Sequence, residues 1–271
     1  MRKIIVIVGP TGIGKTAFTI SLAQRFDGEI IGADSMQVYR YLTIGTAKPD
    51  ENEVSQVAHH LVDFLDPADG FDAGQYVRLA DQAIEDIASR NKIPFVAGGT
   101  GLYVRALLHG LFRSDTIDAD TLSQLTRQLQ NRGPEHLHAR LKQYDPLAAE
   151  RIHPNDSFRV IRALELFMTT GTKISERQKE HRFKTDRYHC LKIGLKMDRE
   201  LLYSRINRRV DMMIEMGLLK EVETLVEMGY SLDLKSMQSI GYKQMGMFLR
   251  NEIDWKEAVR LLKRDTRRYA K

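Results

Sequence analysis

Cysteine is almost absent from this sequence: Cys190 stands alone among 271 residues. A single cysteine excludes an internal disulfide framework and a cysteine-built zinc site. Cys190 lies in an apolar stretch and reads as a buried strand residue. Long hydrophobic runs are also missing, and none approaches the ~18 residues that a membrane span requires. An apolar strand pattern starts by Ile4, which leaves no room for a signal peptide. These shortages together indicate a cytoplasmic protein. An excess of one charge is missing too. The net is +5, from 41 basic and 36 acidic residues, which alone does not argue for a nucleic-acid partner.

The positive signals begin near the start of the chain. Ile4-Ile5-Val6-Ile7-Val8 is β-branched and apolar, the pattern of a buried parallel strand. Gly9-Pro10-Thr11-Gly12-Ile13-Gly14-Lys15-Thr16 comes next, and then a helical run from Ala17 to Ala23. Strand, glycine loop, Lys-Thr and helix is the phosphate-binding loop in its expected context. The glycines let backbone N–H groups turn onto an anion, and the helix N-terminus adds its positive dipole end. Lys15 brings a mobile charge to a terminal phosphate, and the Thr16 hydroxyl is placed to ligate Mg2+. A glycine turn without a ligand is the bland alternative.

A second strand over 29–33 delivers Asp34-Ser35-Met36-Gln37 to the edge where parallel sheets bind ligands. Asp34 is a candidate base or metal partner there, or simply a turn residue. Residues 38–49 are loop-like, and the adjacent His59 and His60 suit polar packing or substrate contact better than a metal pair. Helical spacing between Phe71 and Ser89 predicts a helix with Asp72 as its N-cap. A further strand, Ile93-Pro94-Phe95-Val96-Ala97, ends in Gly98-Gly99-Thr100-Gly101, a second glycine turn on the ligand edge with the Thr100 hydroxyl beside it.

From 113 to 187 the pattern becomes helical throughout. Stripes form at Leu122, Leu125 and Leu129, at Leu137, Leu141 and Tyr144, and at Phe158, Ile161, Leu164 and Phe167. This predicts an α/β fold: a parallel sheet flanked by helices over 1–112 and 188–271, with an all-helical subdomain inserted at 113–187. Arg159 and Arg162 share a helix face, with Asp156 and Glu165 near enough to pair with them. Residues 171–184 are polar and read as a mobile loop. Past Cys190, the helix around Arg199, Arg205, Arg208 and Arg209 suits a phosphate clamp or an exposed basic face. The last helix sets Lys256, Arg260, Lys263, Arg264, Arg267, Arg268 and Lys271 against only Glu257 and Asp265, with Trp255, Val259, Leu262 and Tyr269 as its apolar face.

Taken in order, the motifs resemble a known family, the bacterial tRNA dimethylallyltransferases (tRNA isopentenyltransferases). The resemblance rests on residues 9–16, Asp34-Ser35-Met36-Gln37-Val38-Tyr39, Gly45-Thr46-Ala47-Lys48-Pro49, His59-His60-Leu61 and Gly98-Gly99-Thr100-Gly101-Leu102-Tyr103. It continues through residues 159–165 and Gln238-Ser239-Ile240-Gly241-Tyr242-Lys243 to Thr266-Arg267-Arg268-Tyr269-Ala270-Lys271. It implies a P-loop NTPase-like core that binds a diphosphate in place of a nucleotide, which suits the lack of an acidic residue after Ala97. It also implies transfer of a dimethylallyl group from dimethylallyl diphosphate to N6 of the adenine 3′ of the anticodon, in tRNAs reading U-starting codons. Under the resemblance, Asp34 is the base at N6–H and Thr100 lies beside the acceptor nucleotide. Lys15, Thr16 and Arg205 hold the diphosphate with Mg2+, on a loop of Gly9, Pro10, Thr11, Gly12, Ile13 and Gly14. Contacts to tRNA are implied at Asp34, Ser35, Met36, Gln37 and Thr100, near Leu122, and at Phe158, Arg159, Val160, Ile161 and Arg162. A monomer is expected. Family members continue past Tyr269-Ala270-Lys271 with further basic and aromatic residues. An ATP-dependent small-molecule kinase is the competing enzyme reading, and a non-catalytic RNA-binding module the competing non-enzyme one.

Overall fold

Strand β1 (Lys3–Val8) lies inside a parallel sheet of five strands among the described residues, in the order β3-β2-β4-β1-β5. Its partners are β2 (Gly28–Gly32), β3 (His59–His60), β4 (Ile93–Ala97) and β5 (His189–Gly194). The computed structural model describes residues 1–111, 118–181 and 186–270. The expected start of the insertion at Arg113, residues 182–184 of the polar loop and Lys271 in the basic tail lie outside these.

The apolar runs of β1, β2 and β4 form strands because that part of the sheet is covered on both faces. Alternation sends Ile4 and Val6, with Ile31 and Val96, to one face, where they pack with Tyr76, Ile84 and Leu107. The same alternation sends Ile30 and Phe95 to the other face, against Ile20 and Ala23. Helices α1 (Lys15–Arg25), α2 (Glu51–Gln56), α3 (Ala73–Ser89) and α4 (Gly101–His109) connect the strands. Asp72 caps α3 as the sequence predicts, within a reciprocal capping box with Gln75.

Register places the chemistry. Gly32 is level with Ala97, and Ala97 is level with Ile7. The turns after β2, β4 and β1 therefore leave the sheet side by side. Gly98 can follow Ala97 only as glycine, since a Cβ there would stand 2.1 Å from the Ala33 carbonyl oxygen.

The chain divides into two compact units, Met1–His109 with Asp186–Lys271, and Gly110–Thr185. The second holds α5 (Ala119–Tyr144), α6 (Pro146–Arg151), α7 (Ser157–Thr170) and α8 (Ile174–His181). Gly133 and Pro134 break α5, which separates the two leucine stripes read from the sequence. Leu125, Leu137, Leu141, Val160 and Leu164 form this unit's core. Phe158, expected in the third apolar stripe, instead points outward at 76% exposure. The buried face of α7 is Val160, Ala163, Leu164 and Leu166, and Phe158 in the first turn lies off it. The polar stretch expected as a loop folds into α8, with the Ser175 N–H donating to buried Asp145.

After β5 come α9 (Arg199–Glu215), α10 (Leu218–Glu227), α11 (Tyr242–Leu249) and α12 (Trp255–Tyr269). Cys190, expected to be buried, is exposed. It lies on β5, which pairs with β1 on one side and with no described strand on the other. On α12 the buried residues are Ala258 and Leu262; Tyr269 stays 56% exposed.

Candidate active site

The loop between β1 and α1 wraps a cavity of about 630 Å3. Its wall contains Thr11, Gly12 and Gly14 from the loop, Lys15 and Thr16 from the start of α1, and Asp34 and Gln37 from the turn after β2. Gly98 and Gly99 come from the turn after β4, and Arg205, Arg208, Arg209 and Met212 from α9. The size suits a small phosphorylated ligand. Helices α2, α3 and α6 carry side-chain N-caps, whereas α1 has none and no acidic residue in its first turn. Its first N–H groups are left to an anion. Gly14 provides the left-handed turn into the helix, at φ 99°. Ile13, by contrast, turns its side chain into a buried cluster with Leu202 and Ile206, and that packing docks α9 against the loop.

The electrostatics favour an anion. Five cations, Lys15, Lys48, Arg205, Arg208 and Arg209, line the cavity with two acids, Asp34 and Glu53. Lys15 Nζ donates to the carbonyl oxygens of Gly9 and Pro10, both at 2.9 Å. Burial pushes the Lys15 ammonium below its ordinary pKa; the Asp34 carboxylate opposes this and Arg209 adds to it. Burial also lowers Arg209, again opposed by Asp34. Arg205 packs beside Gly14.

Asp34 behaves both as a turn residue and as a cavity residue. Its Oδ1 accepts from the Met36 N–H at 2.9 Å and the Gln37 N–H at 3.3 Å, while Oδ2 stands beside Gly99. A second cavity of about 310 Å3 shares Thr11, Asp34, Thr46 and Arg209 with the first. Its other walls include Ser35, Met36, Val210, Met213, Ile240, Leu262, Thr266 and Tyr269, a more apolar set. The Thr100 hydroxyl lines neither cavity. It accepts from the Ser35 N–H at 2.9 Å and so fixes the turn that carries Asp34.

Sequence patterns did not single out Met212 or Glu53 as site residues; they left Arg208 and Arg209 between a phosphate clamp and an exposed basic face, and His59 between packing and substrate contact. His59 lies in the larger cavity's wall with its Nδ1 2.8 Å from the Val57 carbonyl. The arginine-dense run in α9 was the available signal, but spacing alone did not say which of its faces meets the loop. Leu122 and residues 158–162 belong to the other unit. There Arg159 pairs with Asp156 at 3.3 Å and Arg162 with buried Glu165 at 2.6 Å, so both arginines take the salt-bridged arrangement. The basic face of α12 is likewise partly compensated, through Lys263 with Asp211, Arg260 with Glu257 and Arg264 with Asp265.

A family model described as IPP transferase matches residues 37–271. The chain belongs to the IPP transferase family. It is 50% identical over 269 residues to a tRNA dimethylallyltransferase of Desulfosudis oleivorans, covering 99% of this chain and 86% of that protein. It is 53% identical over 269 residues to tRNA dimethylallyltransferase 2 of Geotalea uraniireducens, covering 99% and 87%. Among solved structures, a full-length tRNA isopentenylpyrophosphate transferase from Bacillus halodurans matches the whole chain with TM-score 0.73 and 43% identity, over 84% of its own length. A eukaryotic dimethylallyltransferase acting on tRNA matches with TM-score 0.84 and 33% identity, over 68% of its length. As an IPP transferase the chain places its glycine loop, Asp34 and the α9 arginines in one cavity of one unit.

Proposed function

We propose that this IPP transferase moves a dimethylallyl group from dimethylallyl diphosphate to N6 of the adenine immediately 3′ of the anticodon, in tRNAs that read U-starting codons. The observation that carries this reading is the position of Asp34 on the wall shared by a basic cavity and a more apolar one. The diphosphate lies on the loop of residues 9–16, held by Lys15, Arg205 and the open N–H groups of α1. The adenine enters the second cavity, beside Tyr269 and Thr266. The N6–C1 bond forms as the C1–O bond to the diphosphate breaks. Asp34 accepts the N6 proton, and diphosphate leaves with the electron pair of the broken bond.

An exocyclic amine is a weak nucleophile because its lone pair is delocalised into the ring, so removal of its proton as the bond forms helps by ~100-fold or more. Charge grows on the departing diphosphate, where the fixed N–H groups, Lys15 and Arg205 stabilise it. The donor chemistry fits Mg2+: Thr16 lines the cavity and offers a hydroxyl, a hard oxygen ligand of the kind Mg2+ takes. Mg2+ takes few protein ligands and is completed by phosphate oxygens and water. When bound there, Mg2+ would offset the negative charge that builds on the diphosphate. Thr16 would hold the ion.

An adenine buried at Asp34 must leave the anticodon-loop stack, as base-modifying enzymes require. Residues 34–37, Thr100, Leu122 and 158–162 are the proposed tRNA contacts. The helical unit presents Phe158 outward as a stacking face and Arg159 as a phosphate partner. Incubation of the chain with dimethylallyl diphosphate, Mg2+ and an anticodon stem-loop RNA tests the reading. The expected result is one added dimethylallyl group on the adenine. An RNA of unchanged mass, together with phosphate transfer from ATP to a small acceptor, would favour a kinase.

A further inference from the structure

Glu221 lies on α10 and lines neither cavity, yet it gathers an unusual set of donors. Its Oε2 accepts from the Thr43 N–H at 3.2 Å and the Ile44 N–H at 2.8 Å. Its Oε1 accepts from the Gly45 N–H at 3.3 Å and from the Tyr242 hydroxyl. Three successive backbone N–H groups pointing to one centre make an anion nest, and here the anion is the protein's own carboxylate. Hydrogen bonds to an ionised acceptor are the stronger kind, so this turn is held firmly from α10 and α11.

The turn runs directly into the walls of the site. Thr46 walls both cavities, and Ala47 and Lys48 wall the larger one. The carbonyl oxygens of Thr46 and Ala47 accept from Gln37 Nε2 at 3.0 and 2.9 Å. The Gln37 N–H in turn donates to Asp34 Oδ1. A chain of hydrogen bonds therefore runs from Tyr242 through Glu221, residues 43–47 and Gln37 to Asp34. Lys48 Nζ adds a second pin, donating to the Tyr39 carbonyl and to Asp63.

We propose that Glu221 is a positioning residue for group transfer: it fixes the 43–47 turn, and through Gln37 it sets the orientation of the Asp34 carboxylate. The proposal rests on the transferase reading above. Glu221→Gln keeps the shape but turns one acceptor into a donor, so at least one N–H of the turn then faces an NH2 group. A displacement of about 1 Å at a reacting group costs on the order of 100-fold in rate.

The test is a double-mutant cycle of Glu221→Gln with Gln37→Ala, read by single-turnover transfer to an anticodon stem-loop at saturating substrates. Binding of dimethylallyl diphosphate and thermal unfolding are measured in parallel. Glu221→Gln is expected to lower the rate by about 10- to 100-fold while donor affinity stays within about threefold. The double variant is expected to be no slower than the slower single variant, because both cut the same chain of contacts. Rate losses that multiply, or a Glu221→Gln rate equal to that of the unaltered chain, would overturn the proposal. If Glu221→Gln does not fold, Tyr242→Phe removes one donor from the same carboxylate and enters the same cycle with the same two outcomes. An unaltered chain that transfers nothing refutes the transferase reading itself, a result distinct from an active chain whose cycle is additive.

Discussion

Replacing Asp34 by asparagine separates its two jobs. In the folded chain Oδ1 accepts from two backbone N–H groups and Oδ2 faces the cavity beside Gly99. In Asp34→Asn the amide can keep its oxygen in the Oδ1 place and put its NH2 where Oδ2 was. The turn then survives, and only the proton acceptor is lost. General-base removal of that kind costs on the order of 100- to 10,000-fold in turnover. Asp34→Ala loses the base and both turn bonds, at about 1 kcal/mol net for each bond, or about 2 kcal/mol in all. Both variants should therefore show similar residual turnover, while only Asp34→Ala unfolds at a clearly lower temperature. Donor affinity should hold or tighten in Asp34→Asn, since the carboxylate no longer offsets Lys15 and Arg209 in the cavity. The assays are single-turnover transfer, donor titration and thermal unfolding on the same preparations. Asp34→Asn turning over within about tenfold of the unaltered chain would refute the base assignment. Donor binding and turnover falling together would make Asp34 a recognition residue instead.

Four other substitutions probe the rest of the molecule. Lys15→Ala removes a half-buried cation from the phosphate loop and is expected to weaken donor binding by about 10- to 100-fold, the worth of one charge-assisted hydrogen bond, as read by titration with dimethylallyl diphosphate. Arg90, with help from His60 and Lys92 and against the effect of burial, holds the Glu29 carboxyl down to about 2 from an ordinary 4.5. That stabilisation, about 3 kcal/mol at most, is complete above pH ~4.5 and is lost as pH falls toward 2, so Glu29→Gln should flatten the acid limb of a stability-against-pH curve. Arg159→Ala should weaken stem-loop binding and reduce its salt dependence while leaving unfolding unchanged, because its pair with Asp156 is exposed. Arg162→Ala should destabilise the helical unit by about 1–3 kcal/mol in a denaturant melt, since it strips buried Glu165 of a partner.

The sequence by itself determined the features whose chemistry is contiguous. A strand, eight residues of loop and a helix start are enough to build a phosphate cradle, because its N–H donors are successive backbone groups. The turn carrying Asp34, the Asp72 capping box and the apolar strand runs were legible for the same reason: each depends on neighbours within a few residues. Family membership also came from motifs in order. Tertiary structure alone decided what depends on partners far along the chain. The packing of Ile206 and Leu202 on Ile13 turns Arg208 and Arg209 into the cavity, and nothing in the local spacing of α9 sets that angle. Cys190 is exposed because nothing among the described residues covers this part of the edge strand β5, whose residues 189–192 are exposed on both faces, a property of packing that residues 189–194 do not encode. Phe158 satisfies a helical period and still faces outward: in the first turn of α7 it lies beyond the part of its stripe, Ile161 and Leu164, that packs into the core. Charge along α12 was readable as a sum, but its pairing with Asp211 on another helix was not. Backbone conformation responds mainly to local sequence, whereas burial and electrostatic compensation are set by which surfaces meet, and that is why Glu221 became visible only once residues 43–45 were seen to point at it.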